Sequence, residues 1–132
     1  MGNLFRSSKV IHDQTTAAAA SLNGEAKAIR PGNDAIPDFQ QEFSVVFNTT
    51  MSGGAATPTL TQKLQTSWDG ASWIDVAAST ELTADGNVIE QKAITLKLGP
   101  FVRAAAIISG TVSYTGSVRL VSNAHFTVAS AA

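Results

Sequence analysis

The sequence predicts an all-β protein, a single antiparallel β-sandwich of jelly-roll-like type with a short N-terminal arm. From residue 39 onward, short runs of alternating apolar and polar residues are separated by turn residues, which is typical of a sandwich or a barrel. The clearest hairpin lies between Leu64 and Val76, where Asp69-Gly70 supplies the left-handed backbone angles of a tight turn. At 132 residues, the chain has the length of one domain.

The N-terminal region is divided into the arm, residues 1–9, and the start of the sandwich domain, residues 10–132. Apolar Leu4 and Phe5 lie among polar and basic residues, and a terminal segment of this kind is either disordered or docks on a partner. The alanines that follow favour a helix but lack the amphipathic period that would hold one against a core. We therefore predict a short strand at residues 15–21, a turn at 23–24 and a second short strand at 26–29. A loop follows at residues 30–37.

The first two strands of the main alternating region are predicted from the faces that they present. Phe43, Val45 and Phe47 fall on one face of a strand that ends in a loop beginning at Met51. On the next strand one face is apolar at both ends and polar in the middle, so we expect a core with a polar centre there. The residues of that face are Leu60, Gln62, Leu64, Thr66 and Trp68.

The remaining strands follow the hairpin. Ile94, Leu96 and Leu98 alternate with polar residues and are expected to face inward on a strand that Gly99-Pro100 ends. The next run is nearly all apolar apart from Arg103, which indicates a strand that is buried on both faces or covered by a neighbouring subunit. The predicted segments are a strand at 73–78, a turn at 84–87, a strand that follows this turn and ends before Gly99, and strands at 101–108, 110–116 and 118–128.

Composition and charge argue against several classes of function. The formal net charge of -1 gives no global field that would attract nucleic acid or an anionic membrane, and no apolar run is long enough for a membrane span. The chain has no cysteine, so thiolate catalysis and cysteine-ligated zinc are excluded. Charged residues make up only 14% of the chain. A surface of small neutral side chains loses little entropy when another protein packs on it, which suits a protein of an assembly.

A search for catalytic groups gives no site. Asp69 and Asp75 are neighbours across the hairpin, but Asp69 belongs to a turn, where its carboxylate is expected to cap backbone amides. Asp85 has the same explanation, and neither turn offers the oxygen ligands of a calcium loop. His12 and His125 are far apart in sequence, and no serine lies in a Gly-X-Ser-X-Gly motif. We therefore expect no enzyme, no metal and no cofactor.

The two tryptophans and Arg103 are candidates for structure or contact. Trp68 lies at one end of an apolar face and is expected in the core. Trp73 shares a face with Asp75 and is expected at a rim, where it could contact a partner. Arg103 must be paired if it is buried, with a nearby carboxylate, with backbone carbonyls or in an intersubunit salt bridge. Trp73 with Tyr114 could alternatively form a stacking platform for sugar rings.

Three motifs together resemble those of small β-sandwich virion proteins of tailed bacteriophages. They are the segment Leu64-Gln-Thr-Ser-Trp-Asp-Gly-Ala-Ser-Trp-Ile-Asp-Val76, then Leu82-Thr-Ala-Asp-Gly86, then Gly99-Pro-Phe-Val-Arg103. The resemblance covers about residues 10 to 129. It implies a structural virion protein of the capsid decoration or cement type, which stabilises the phage head by binding neighbouring proteins and catalyses nothing.

The resemblance also implies partners and a location. The expected partners are other virion proteins, above all the major capsid protein, together with further copies of this chain in a homo-oligomer. No nucleic acid and no membrane are expected, and the location is the virion, at the capsid surface. A neck or tail component and a carbohydrate-binding sandwich are the alternatives. The candidate partner contacts are Leu4, Phe5, Arg6, Trp73 and Arg103.

Overall fold

The computed structural model describes residues 7–18, 22–31, 42–52, 58–110, 112–123 and 126–130. Within these ranges the chain forms ten β-strands, and no helix there is long and apolar enough to cross a membrane. The strands are β1 (Ser7–Ala18), β2 (Leu22–Asn23), β3 (Lys27–Pro31), β4 (Phe43–Ser52), β5 (Thr59–Ser67), β6 (Ile74–Ala78), β7 (Gly86–Ala93), β8 (Phe101–Ser109), β9 (Val112–Ser122) and β10 (Phe126–Ser130).

The strands form two antiparallel sheets that pack face to face. The first sheet has the order β1-β9-β4-β7, and the second has the order β10-β3-β8-β5-β6, with β2 also paired to β8. Every connection passes from one sheet to the other, except those between β2 and β3 and between β5 and β6. The predicted all-β antiparallel sandwich is confirmed.

The pairing of the strands is nested, as in one long hairpin that has been rolled up. The innermost pair is β5 with β6, followed outward by β4 with β7, β3 with β8 and β1 with β9. Rolling brings β4 beside β9 and β5 beside β8, and these ladders complete the two sheets. This arrangement is that of a jelly roll, an eight-stranded fold of two sheets, here with β10 added at one edge.

The core lies between the sheets and has a polar layer in its middle. Val45 and Phe47 of the first sheet pack with Leu64 and Val102 of the second in one apolar cluster, and a second cluster is built around Met51, Leu60 and Tyr114. Between them, the fully buried side chain of Gln62 donates from Nε2 to the Asn48 carbonyl (2.9 Å) and to Thr49 Oγ1 (2.8 Å). The predicted core with a polar centre is therefore confirmed for β5.

Trp68 is not a core residue, and the prediction that it would be was wrong. Its side chain is 57% exposed, because β5 ends at Ser67 and the chain then leaves the sheet. Gly99 lies next to the Trp68 ring, and its amide donates to Thr66 Oγ1 (2.8 Å). A Cβ atom on Gly99 would lie 2.3 Å from the Ser67 carbonyl oxygen, so the two segments are in close contact.

The strand predicted between the turn at 84–87 and Gly99-Pro100 ends earlier than expected. The regular strand is β7, which ends at Ala93 opposite Ser44. Its partner β4 begins at Phe43, and beyond Ala93 the Ile94 amide donates to the Phe43 carbonyl. Ile94 and Leu98 still pack partly buried against the core, whereas Leu96 is half exposed.

At the N-terminal end the structure has one long strand where a short one was expected. β1 begins at Ser7, so the last three residues of the segment assigned to the arm are paired with β9, and Ser7 lies opposite Ser122. Residues 1–6 lie outside the described part of the chain. At the C-terminal end, the expected strands over 110–116 and 118–128 are instead one continuous strand, β9, followed by β10.

Candidate partner-binding site

A β-bulge at Val76 places Asp75 of β6, and Trp73 just before β6, on the outer face of the second sheet. Ala77 lies opposite Leu64, but the next pair is Asp75 with Gln65, so Val76 is the additional residue. Val76 and Ala77 both pack against the apolar core. Because strand residues alternate between faces, the extra residue turns Asp75, and with it Trp73, to the outer face.

On that outer face five side chains form a connected cluster, which we call the Arg103 cluster: Lys63, Gln65, Trp73, Asp75 and Arg103. Lys63 Nζ lies 3.0 Å from Asp75 Oδ2, and Gln65 Nε2 donates to Asp75 Oδ1 over 2.8 Å. Arg103 Nε donates to Gln65 Oε1 (2.8 Å), and its guanidinium carbon lies 4.4 Å from the centroid of the Trp73 ring. The cluster thus runs across the three neighbouring strands β8, β5 and β6 and includes the last residue of the hairpin loop.

The Arg103 cluster contains two positive charges and one negative charge. The hydrogen bond from Gln65, and after it the interaction with Lys63, holds the pKa of the Asp75 carboxyl below its ordinary value, so Asp75 stays ionised and neutralises Lys63. Arg103 is half-buried, and among the described residues no carboxylate lies within salt-bridge distance of it. The cluster therefore carries one positive charge that is held in place by a neutral amide and an aromatic ring.

Two of the residues predicted as partner contacts lie next to each other in the structure. The guanidinium of Arg103 packs against the ring of Trp73. The expected partner of Arg103 was a carboxylate or backbone carbonyls, whereas the structure gives the side-chain amide of Gln65 and the Trp73 ring. The remaining candidate contacts, Leu4, Phe5 and Arg6, lie outside the described residues.

Sequence reasoning missed Lys63, Gln65 and the role of Asp75. Gln65 lies directly opposite Arg103 in the ladder between β5 and β8, so the correct register would have identified it. That register depends on pairing between strands far apart in the chain, and a single sequence does not show it. The bulge at Val76 likewise leaves no mark in the alternation of polar and apolar residues.

The hairpin loop beside the cluster is held by Asp69. Its Oδ1 atom accepts hydrogen bonds from the amides of Ala71 and Ser72, each over 2.8 Å, and from the Ser67 hydroxyl over 3.0 Å. These bonds, led by the one from Ser72, lower the pKa of Asp69 to about 2. Gly70 has a φ angle of 80°, which is the left-handed conformation that this turn requires. The predicted capping role of Asp69 is confirmed.

The position of Tyr114 and the spacing of the acidic side chains bear on two other kinds of site. Tyr114 is 1% exposed and donates from its hydroxyl to Gln62 Oε1 (2.5 Å), so it cannot form a sugar-stacking platform with Trp73. Within the described ranges, no group of three or more histidine, aspartate or glutamate side chains could hold a metal ion. His125 lies outside these ranges.

Comparison with known proteins gives a similarity of fold. No protein-family model and no curated protein matches the sequence. A chain in the structure of infectious bursal disease virus, Gx strain, superposes with a TM-score of 0.50 and 14% sequence identity, over 89% of this chain and 31% of that chain. A chain of the Gt strain gives a TM-score of 0.33 and 13% identity, over 91% and 30%. The protein thus spans less than a third of the chains that it matches, and the Gx superposition shows a shared fold.

Proposed function

We propose that this chain is a structural virion protein, a capsid decoration or cement protein of a tailed bacteriophage that stabilises the head by binding neighbouring capsid proteins. The observation that carries the proposal is the jelly-roll strand order together with the superposition on a chain of infectious bursal disease virus. Jelly rolls are a recurrent fold of viral capsid proteins. The hairpin and Arg103 motifs, which resemble those of phage virion proteins, support the same function.

The outer face of the first sheet supports a role in an assembly. Asn48 and Thr50 of β4 lie opposite Ser117 and Thr115 of β9 on this face. Asn87 donates from Nδ2 to the side-chain oxygens of Asn48 and Thr50, over 2.8 and 2.7 Å. Short side chains that are already ordered lose little conformational entropy when a partner covers them. This surface is therefore suited to repeated contacts between the proteins of a particle.

The proposal includes no catalytic activity. In the Arg103 cluster, Lys63 is paired with Asp75, and Arg103 packs on the Trp73 ring. The Asp69 carboxylate accepts hydrogen bonds from backbone amides of the turn. A general acid or base needs a pKa near the working pH, whereas the pKa values of Asp69 and Asp75 are both lowered. We assign both carboxylates to structural roles.

The test is the presence and the position of the protein in purified particles. Mass spectrometry of virions from the phage that encodes this chain is expected to detect the protein in multiple copies, and gold-labelled antibody is expected to mark the head. Labelling of the neck or tail would replace the decoration role by a role in those parts. Absence of the protein from washed particles, with the major capsid protein as the positive control, would contradict any virion role.

We also propose that the protein is a homo-oligomer, since head proteins occupy symmetry-related positions. Light scattering during size-exclusion chromatography is expected to give a mass that is a multiple of the 13.7 kDa of one chain. A mass of one chain at all concentrations tested would show that the isolated protein is a monomer.

A further inference from the structure

We propose that Arg103 is the anchor of the interface and binds an acidic side chain of the neighbouring virion protein through its two terminal nitrogens. This inference rests on the proposed function, because it names the chemistry of the partner that the virion role requires. The arrangement that points to it is a half-buried arginine on the outer face of the second sheet, held by Gln65 and Trp73 and without a counter-ion among the residues that the structure describes.

The guanidinium is oriented in advance by two contacts. Gln65 accepts from Nε on one edge (2.8 Å), and the Trp73 ring lies against one face (4.4 Å from the guanidinium carbon to the ring centroid). In the described part of the chain, Nε is the only nitrogen of Arg103 that donates a hydrogen bond. The two terminal nitrogens form the planar fork that matches the two oxygens of a carboxylate.

Charge complementarity identifies the chemistry of the occupant. Lys63 already has Asp75 as its counter-ion at 3.0 Å, so the unbalanced charge of the cluster belongs to Arg103. A guanidinium that a partner covers without providing a negative charge would be costly to desolvate. A partner residue that packs over this part of the sheet must therefore supply an anion.

The surroundings of Arg103 favour a protein partner. Ile107 lies four residues further along β8 on the same outer face and is 43% exposed. Ala105 lies between them and is buried. A surface that combines an arginine, a tryptophan and an exposed apolar side chain has the composition of a protein–protein hot spot. Asp or Glu of the neighbouring protein, rather than a soluble anion, is the occupant that this surface fits.

The test measures attachment to particles that lack this protein, prepared from the encoding phage with the gene deleted. Recombinant wild-type protein and variants are added, and bound protein is quantified after sedimentation. Arg103→Lys keeps the charge but loses the fork, and we expect its apparent Kd to rise by about tenfold or more. Lys97→Arg exchanges the same two cations at an exposed position between β7 and β8, outside both sheets, and is the control, expected to bind within about twofold of wild type.

A second arm tests the partner's carboxylates. In this arm the surface carboxyl groups of the particles are converted to amides. Wild-type protein is expected to bind these treated particles as weakly as Arg103→Gln binds untreated ones. Arg103→Gln itself should bind treated and untreated particles with the same affinity, because the variant no longer has the guanidinium that contacts the carboxyl group. Thermal unfolding of each variant within a few degrees of wild type establishes that the sandwich is folded.

Each outcome has a definite meaning. If wild-type protein binds the particles and Arg103→Lys binds equally well, the anchor is overturned while the virion role stands. If Arg103→Lys changes the oligomer mass but not attachment, the face joins copies of this chain and the proposal is wrong. Failure of wild-type protein to bind at all would contradict the proposed function and with it this inference.

Discussion

Gln62 lies fully buried between the sheets, and its side-chain oxygen and nitrogen both have hydrogen-bond partners on the first sheet. A buried amide is destabilising in any arrangement that leaves it unpaired. We infer that Gln62 helps to select the relative position of the two sheets, since a shifted packing would separate it from Tyr114 and Thr49.

We expect Tyr114→Phe to lower the free energy of unfolding by about 1–3 kcal/mol, because it leaves the buried Gln62 oxygen without a donor. Urea denaturation followed by circular dichroism measures the change. The control is the same substitution in a Gln62→Leu background, where no amide oxygen remains and the loss should be smaller. Equal losses in the two backgrounds would show that the hydrogen bond is not the cause.

Asp69 gives stability that depends on pH. Its pKa is about 2 in the folded chain, against an ordinary value of 3.8, so its stabilising effect is complete above the ordinary value and is lost as pH falls toward about 2. We expect Asp69→Asn to have a lower Tm than wild type at neutral pH. The difference should narrow as pH falls from about 5 to about 2.

The measurement is Tm by calorimetry at a series of pH values for both proteins. Asp75 and Glu90 also have lowered pKa values, through Gln65 and Thr80 respectively, so the variant retains some sensitivity to acid. A difference in Tm that stays constant across this range would contradict the assignment of the effect to Asp69.

At the scale of elements, the segment between β7 and β8 crosses β5 at a point of close backbone contact. We expect Gly99→Ala to lower the free energy of unfolding by about 2 kcal/mol or more, because a Cβ atom would lie 2.3 Å from the Ser67 carbonyl oxygen. Gly86→Ala is the matched control, since the nearest atom to its Cβ would be 4.0 Å away, and should change stability by less than about 0.5 kcal/mol. Similar urea midpoints for the two variants would contradict this account.

The start of β1 defines how the arm can be removed. We expect deletion of residues 2–9 to lower Tm by more than deletion of residues 2–6 does, because residues 7–9 pair with residues 120–122 of β9. If the arm docks on a partner, the shorter deletion weakens attachment to particles without unfolding the domain. Calorimetry and sedimentation with particles measure the two effects, and full attachment of the shorter deletion would exclude a docking arm.

The elements that could be predicted are those in which local alternation and burial agree. Val45, Phe47, Leu60 and Leu64 all lie in the core on the expected strands. Trp68 follows the same alternation but lies where β5 ends, and the end of a strand depends on what crosses it. The bulge at Val76 and the register that pairs Gln65 with Arg103 are properties of neighbouring strands, so the candidate site could be predicted only as two separate residues.

At the scale of the whole molecule, sequence patterns gave the class of fold, and the order of strands came from the structure. Apart from β2 and β5, each strand that has a successor is followed by a strand of the other sheet, and an alternating pattern does not show which sheet the next strand joins. The fold also leaves the site at one broad outer face rather than in a cleft. This placement is suited to a protein that acts by covering a neighbour, as the proposed virion role requires.

The nested pairing of the strands has a consequence for how the chain reaches its native state. Before β5 and β6 pair, β4 and β7 are separated by residues 53–85, a long stretch of flexible chain. Once the hairpin at Asp69-Gly70 has closed, only its two flanking connections remain to be ordered between them. Since the entropic cost of closing a loop grows with its length, each inner pair makes the next one less costly to form. On this argument the β5–β6 hairpin is expected to form first, and the outer strand pairs are expected to form after it, ending with β1 and β9.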